Sequence, residues 1–307
     1  VPRNPKYLWH DRALAVVVAA LAATWGRLPW RVAQRTGAGF GLFAWSLSRF
    51  VAGRDRRRAL AHLEIAFPEL SPGERQKLAR ASFRHLGITL GECLHLLRRD
   101  AESLKSHVTL EGWERIEAAR AAGRPIVILT GHCGNWEALA AALSIHGLPL
   151  AAVARSLDEP GLQKMLAGLR ARFGTATIER GREGAARQLL GALRTGTALG
   201  MLIDQDTQVE GVWVPFFGRP AFTPVGAAKI ALKQKAAVFP VFIERVEDGS
   251  HRATIHSEMD LPADATDATA AMTLAIEQQI RRVPEQWVWI HRRWKRQPAG
   301  LNENDQH

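Results

Sequence analysis

Pro125-Ile126-Val127-Ile128-Leu129-Thr130-Gly131-His132-Cys133-Gly134-Asn135-Trp136-Glu137 is where the character of this chain changes. Pro125 to Thr130 is a short apolar run rich in β-branched residues, the composition of a strand buried on both faces. Gly131-His132-Cys133-Gly134 interrupts it, and Asn135–Ile145 returns to helical spacing. A buried strand, a glycine-bracketed turn and a helix form the first half of a βαβ unit. His132 then stands at the carboxyl end of the strand, in the crevice where open α/β sheets place their ligands.

The same alternation continues downstream. Leu148–Ala154, Ala176–Glu179, Ala198–Ile203, Val212–Phe216 and Val238–Glu244 read as strands, and Arg252–Ser257 alternates like an edge strand. Gly161–Arg172, Gly184–Arg194 and Val225–Lys235 read as helices. Upstream, Arg57 to Leu97 is helical. Phe67-Pro68 closes one helix, and Ser71-Pro72-Gly73-Glu74 supplies an N-cap, an N1 proline and an acidic first turn for the next. Residues 111–122 form a further helix ended by Gly123. Pro284 is expected to open a last helix with Trp287, Ile290 and Trp294 on one face. Strands alternating with helices predict an α/β fold, a mixed sheet flanked by helices.

With 47% hydrophobic and 23% charged residues in 307, disorder is excluded and a large core is affordable. The net charge of +11 is concentrated at the ends: residues 1–60 hold eleven basic and two acidic side chains, and 281–296 hold six and one. Two basic ends around a neutral body point to an anionic partner surface. Trp9, Trp25, Trp30 and Trp45 fall among the first arginines, a pairing that a membrane interface selects. Ala13–Trp25 is uncharged, but as a helix it spans only about 20 Å against the ~30 Å of hydrocarbon, too short for a crossing. Gly37–Ser48 is a second apolar stretch, followed by Arg54, Arg56, Arg57 and Arg58. Residues 1–55 are therefore expected to be a membrane-associating helical segment and 56–300 the α/β domain. No signature of a nucleic-acid-binding module accompanies the basic residues, so a membrane surface is preferred to nucleic acid. Cys93 and Cys133 are the only cysteines, which argues against a disulfide framework or a Cys-based metal cage.

For the chemistry, His132 and Glu137 are the central pair. On one helix a five-residue spacing would set them about 140° apart. They meet only if His132 lies on the turn and the chain doubles back, which Gly131 and Gly134 permit. A carboxylate on one ring nitrogen fixes the tautomer and leaves the other to take a proton from a hydroxyl. The first N–H groups of the following helix are placed to steady an oxyanion. Cys133 suggests a rival, a thiol nucleophile, but sequence neighbours point apart. Asp204 and Asp206 follow the Ala198–Ile203 strand into the same crevice, to hold either the histidine or a substrate. Arg155, just past a strand end, and Asn135 are further candidates for substrate binding. Arg180-Gly181-Arg182-Glu183-Gly184 reads as a basic loop, and Phe216-Phe217 as core or as lining for an apolar channel.

Gly131–Glu137 resembles the H-x4-D/E motif of glycerophosphate-type acyltransferases, in the version found in the late acyltransferases of bacterial lipid A biosynthesis. That lauroyl/myristoyl transferase family also includes the phosphatidylinositol mannoside acyltransferases. Arg57–Glu69 is similar to its N-terminal signature, Asp204-Gln205-Asp206 with Gly211–Gly218 to its central one, and Pro284–Arg293 to its C-terminal one. At His62 the family usually has Asn. The resemblance implies a glycerophosphate-acyltransferase-like fold and an enzyme of the inner membrane's cytoplasmic face. It implies transfer of a fatty acyl chain from acyl carrier protein, or from acyl-CoA, to a hydroxyl or hydroxyacyl group of an anionic glycolipid, without metal or cofactor. His132 would be the general base, Glu137 its orienting partner, and Arg170 a contact for substrate phosphate. An acyl-CoA-dependent glycolipid or lysophospholipid acyltransferase is the alternative within the same fold.

Overall fold

Ile126–Thr130 (β2) lies at the centre of the sheet, and all five of its side chains are buried. The computed structural model describes residues 20, 23–51, 53–155, 160–181 and 184–298. β2 pairs in parallel with Ala198–Leu202 (β5) on one side and Ala237–Arg245 (β8) on the other. Leu150–Arg155 (β3) and Thr175–Arg180 (β4) continue the parallel set beyond β5. Beyond β8, His251–Ile255 (β9) runs antiparallel to it, and Val108–Glu111 (β1) pairs in parallel with β9 at the edge. The order is β1-β9-β8-β2-β5-β3-β4. Gly211–Phe216 (β6) and Arg219–Pro224 (β7) form a separate antiparallel hairpin.

Successive residues of a strand point to opposite faces, and β2 divides its side chains accordingly. Val127 and Leu129 join a cluster that includes Ala227, Ala228, Met272 and Ile276 from Gly226–Gln234 (α9) and Ala265–Arg282 (α10). Ile126 and Ile128 join another with Leu139, Leu143 and Leu169 from Trp136–Ile145 (α6) and Pro160–Arg172 (α7). Each fully buried aliphatic side chain of this kind contributes about 1.5–3 kcal/mol. The mixed α/β sheet flanked by helices is therefore as the alternating pattern predicts.

The N-terminal helices are Trp30–Leu47 (α1), Arg54–Ala66 (α2) and Pro72–Leu96 (α3). Ser71 and Glu74 close a reciprocal capping box at the start of α3. Glycines let α1 and α3 touch backbone to backbone: a Cβ on Gly37 would lie 2.4 Å from the Gly87 carbonyl oxygen, and one on Gly41 2.1 Å from that of Phe83. This contact corrects the interfacial role expected of two tryptophans. Trp30 and Trp45, only 7% and 5% exposed, belong to the face of α1 turned inward. Trp30 stacks on His107, and Trp45 lies under the Arg56 guanidinium. Phenylalanines occupy the outer face instead: Phe40 and Phe43 are exposed, as are Leu47 and, in the turn that follows, Phe50 and Val51. Among the described residues no helix is long and apolar enough to cross a membrane. Trp9, most of Ala13–Trp25, and Arg182 and Glu183 of the basic loop lie outside the described residues.

Three other expectations change. The helix expected from Pro284 is a single 3-10 turn, Pro284–Gln286, followed by irregular turns. Its carbonyls serve outside partners: Trp287 O accepts from Ser82, Ile290 O from Arg58, and Trp289 O bonds the His62 ring. A helix would have consumed these acceptors internally. The stretch expected as an edge strand, β9, lies inside the sheet. It alternates because Arg252 and Thr254 face outward beside Glu111. Two strands escape the pattern: β1 has four residues, and β7 contains Pro220 and Pro224.

Candidate active site

The parallel register of β2 and β5 pairs Thr130 with Leu202, so that the chain leaving each strand brings His132 next to Asp204. The two carboxylate oxygens of Asp204 divide the work. Oδ1 lies 2.8 Å from His132 Nδ1; Oδ2 accepts the His132 backbone N–H at 2.8 Å and the Trp287 indole N–H at 2.8 Å. The Asp204 side chain is wholly buried, whereas 21% of the His132 side chain remains exposed. Burial alone would raise the Asp204 carboxyl. The charge of the His132 ring and the hydrogen bonds from that ring, Trp287 and the His132 amide more than offset it and hold the group well below the usual carboxylate range. The edge of Trp136 meets the His132 ring at 5.0 Å between centroids. His132 Nε2 bonds to nothing among the described residues.

Asp204 thus takes the ring nitrogen that the sequence reading assigns to Glu137. Glu137 sits in the first turn of α6 and turns toward α7, where Arg170 grips it with both arms, Nε at 2.9 Å and Nη2 at 2.6 Å. Burial would depress the Arg170 guanidinium, but the bonds to Glu137 outweigh it and raise the group. One guanidinium nitrogen, Nη1, is left for other contacts. This ion pair lies at a small apolar cavity of about 40 Å3 bordered by Thr130, Trp136, Leu139, Ala152 and Gly200.

The turn itself is braced from behind. Gly134 adopts φ of 61°, and a Cβ there would fall 2.0 Å from the Ile243 carbonyl oxygen, so only glycine fits. Its N–H donates to Gln286 O at 2.9 Å, and its carbonyl lies 3.2 Å from His85 Nε2. Asn135, expected at the substrate, is completely buried. Its Oδ1 caps α6 by accepting from Ala138 N–H, and its Nδ2 donates to Glu92. Glu92 is also sealed; burial would raise it, but the Arg245 guanidinium, bonded through Nε and Nη2 at 2.8 Å each, holds it well below the usual range. Of the amides at this helix start, those of Gly134 and Ala138 are taken, and those of Trp136 and Glu137 bond to nothing among the described residues.

The other expected residues are distributed as follows. Asp206 is tied to Arg296 by the Arg296 backbone N–H at 3.1 Å and by its guanidinium Nε at 2.7 Å. Arg155 ends β3 in register with Arg180 of β4, whose guanidinium is lowered by burial and by the neighbouring Arg155. Phe216 and Phe217 are core, packed edge-on to each other and against Trp287 and Trp289. The Cys133 thiol is buried, and burial, reinforced by the Asp204 charge, pushes it far up, the opposite of an activated nucleophile. His291 was not singled out by sequence. Its ring is pushed down to about 4, chiefly by burial, within electrostatic reach of Asp204 and His132, and its Nε2 is a buried atom without a hydrogen-bond partner. Among the described residues no group of three or more His, Cys, Asp or Glu side chains is gathered to hold a metal ion.

A mostly parallel sheet thus carries a carboxylate-braced imidazole over the carboxyl ends of its central strands, an arrangement suited to group transfer. The chain belongs to the bacterial lipid A biosynthesis acyltransferase family, which it matches over residues 1–296. It is 30% identical over 280 residues to the lipid A biosynthesis palmitoleoyltransferase of Escherichia coli K12, covering 90% of this chain and 89% of that one. The lauroyltransferase of the same organism is 29% identical over 282 residues, with 90% and 89% covered. The phosphatidylinositol mannoside acyltransferase of Mycolicibacterium smegmatis is 26% identical over 258 residues, with 83% and 84% covered. That membership makes the protein an acyltransferase.

Proposed function

We propose that the enzyme moves a fatty acyl chain from a carrier thioester to a hydroxyl of a lipid A precursor, with His132 as general base. The observation that carries this reading is the bond between His132 Nδ1 and the buried Asp204 carboxylate. With Nδ1–H held, Nε2 is the lone-pair nitrogen and faces the accessible side of the ring. The acceptor hydroxyl gives its proton to Nε2 as its oxygen attacks the thioester carbonyl carbon. The resulting oxyanion lies near the amides of Trp136 and Glu137 at the start of α6, where the helix dipole favours negative charge. Collapse breaks the C–S bond, and the leaving thiolate recovers the proton from the imidazolium. An activated thioester requires no covalent enzyme intermediate, in keeping with the inert Cys133.

The apolar cavity beside Trp136 offers the first methylenes of the acyl chain a seat next to the base. Arg170, fixed by Glu137 with Nη1 to spare, and Arg155 at the end of β3 are the cations for acceptor phosphate. The exposed Phe40, Phe43, Leu47 and Phe50, with Arg49 and Arg54 alongside, form a face suited to the cytoplasmic leaflet of the inner membrane. Acyl carrier protein is the proposed donor. Acyl-CoA acting on a glycolipid is the second reading, and the likeness to the mannoside acyltransferase favours its acceptor.

The test is mass spectrometry of lipid A from a deletion strain complemented with wild type or His132→Ala. A secondary acyl chain restored by wild type and missing with the variant, present at equal protein level, supports the reading. Restoration by both removes His132 from the chemistry.

A further inference from the structure

A second concave site lies away from His132, between the N-terminal helices and the end of β8. It is a cleft of about 390 Å3. Its walls carry opposite charge. Arg31 and Arg35, one turn apart on α1, and Arg84 on α3 form one wall; Glu247 and Asp248, in the turn after β8, and Glu285 form the other. The walls do not close on each other. Arg35, Arg84, Glu247 and Glu285 make no hydrogen bond or ion pair among the described residues. Arg31 meets Asp248 only through its field, and that carboxylate is already engaged by Ser250 N–H and Oγ. The floor is built: Arg245 Nη1 lies 2.6 Å from His85 Nδ1, and Gln286 bonds the backbone of Arg245 on both sides. None of the lining residues bonds to His132, Asp204, Glu137 or Arg170.

A slot with guanidinium groups on one side and carboxylates on the other recognises a ligand with an anion and a cation a few ångströms apart. Guanidinium groups suit phosphate, and carboxylates suit a primary ammonium that can donate to them. The source of such a group is indicated by α1 itself. Phe43 follows Arg35 by eight residues, about 12 Å along the axis and about 80° around it, and is exposed to solvent. A headgroup in the cleft would leave its tails beside that apolar face. We propose that the cleft binds the headgroup of a zwitterionic phospholipid, its phosphate on Arg35 and Arg84 and its primary ammonium on Glu247 and Glu285. The choice of a lipid rests on the membrane face proposed above. The cleft does not, and binding is measured without acyl transfer.

The full chain is titrated calorimetrically with dihexanoylphosphatidylethanolamine below its micelle concentration, dihexanoylphosphatidylcholine and inorganic phosphate. The ethanolamine lipid is expected to saturate one site and bind at least tenfold tighter than the choline lipid, whose quaternary ammonium has no N–H to give. Arg35→Ala with Arg84→Ala should weaken it at least tenfold. Glu247→Gln with Glu285→Gln should bring it to the level of the choline lipid. All four side chains are on the surface of the cleft, and unchanged melting temperatures establish that the variants fold. Equal affinity for the two lipids, wild-type binding by the arginine variant, or inorganic phosphate binding as tightly as the lipid would each overturn the proposal.

Discussion

Asp204 holds His132 twice, by the ring at Nδ1 and by the backbone amide, at 2.8 Å in each case. One carboxylate therefore sets both the tautomer of the proposed base and the position of the turn that carries it. Asp204→Asn keeps the volume but not the charge, and its amide group cannot accept at both ends. A fall in kcat of about 10²–10⁴ is expected, the range for support of a general base, with KM changed much less. Steady-state kinetics with the purified variant measure both, and a rate within threefold of wild type would dismiss Asp204 as the partner.

Glu137 and Arg170 make a largely buried pair, with 6% and 14% of their side chains exposed. Removing one partner strands the other charge, at a cost of about 3–5 kcal/mol for a buried pair. Glu137→Ala and Arg170→Ala should each lower stability by a few kcal/mol, and the double variant should lose less than the two losses combined. Urea unfolding of the four proteins gives the coupling directly. If Glu137 instead braced His132, Glu137→Ala would abolish turnover with stability untouched.

His62 and His291 are both pushed down to about 4, chiefly by burial. Unfolded, they titrate near ~6.5, so between these values the unfolded chain binds more protons than the folded one. Their contribution is complete above about pH 6.5 and is lost as the pH falls toward 4, on the order of 1–3 kcal/mol per histidine. His62→Asn should flatten the fall in denaturation midpoint between pH 7 and 4.5. A curve parallel to wild type would show that His62 does not titrate in this window.

Phe40 and Phe43 are 54% and 62% exposed on the outer face of α1. Replacing both with Asp leaves the α1–α3 contact alone, since that contact is made by the opposite face. Vesicle flotation should show at least a tenfold loss of membrane binding, with an unchanged melting temperature. Undiminished flotation would move the membrane contact to another part of the molecule.

The sheet was readable because β2 announces itself: Ile, Val, Ile and Leu closed by Thr130 and a glycine-histidine turn admit few other structures. His132 and Asp204 were both legible as residues at strand ends. Their pairing was only one of the roles left open for Asp204, because it depends on β5 lying next to β2, a neighbour relation that linear spacing does not contain. Glu137, five residues away, looked like the nearer partner, yet the helix start turns it toward Arg170. Glu92 and Arg245 stand 153 positions apart, and no local pattern links them. The tryptophans of α1 misled for a related reason. Composition marked the segment as apolar and interfacial, but which side faces inward was decided by Gly37 and Gly41, whose missing side chains admit α3.

Trp287, which completes the hydrogen bonding of Asp204, comes 83 residues after it, and the tether on Asp206 comes later still. A ribosome delivers the chain from its amino end, so the imidazole and its carboxylate emerge well before the indole that locks them. Assembly of the proposed site accordingly waits on a segment made long after the residues that it locks.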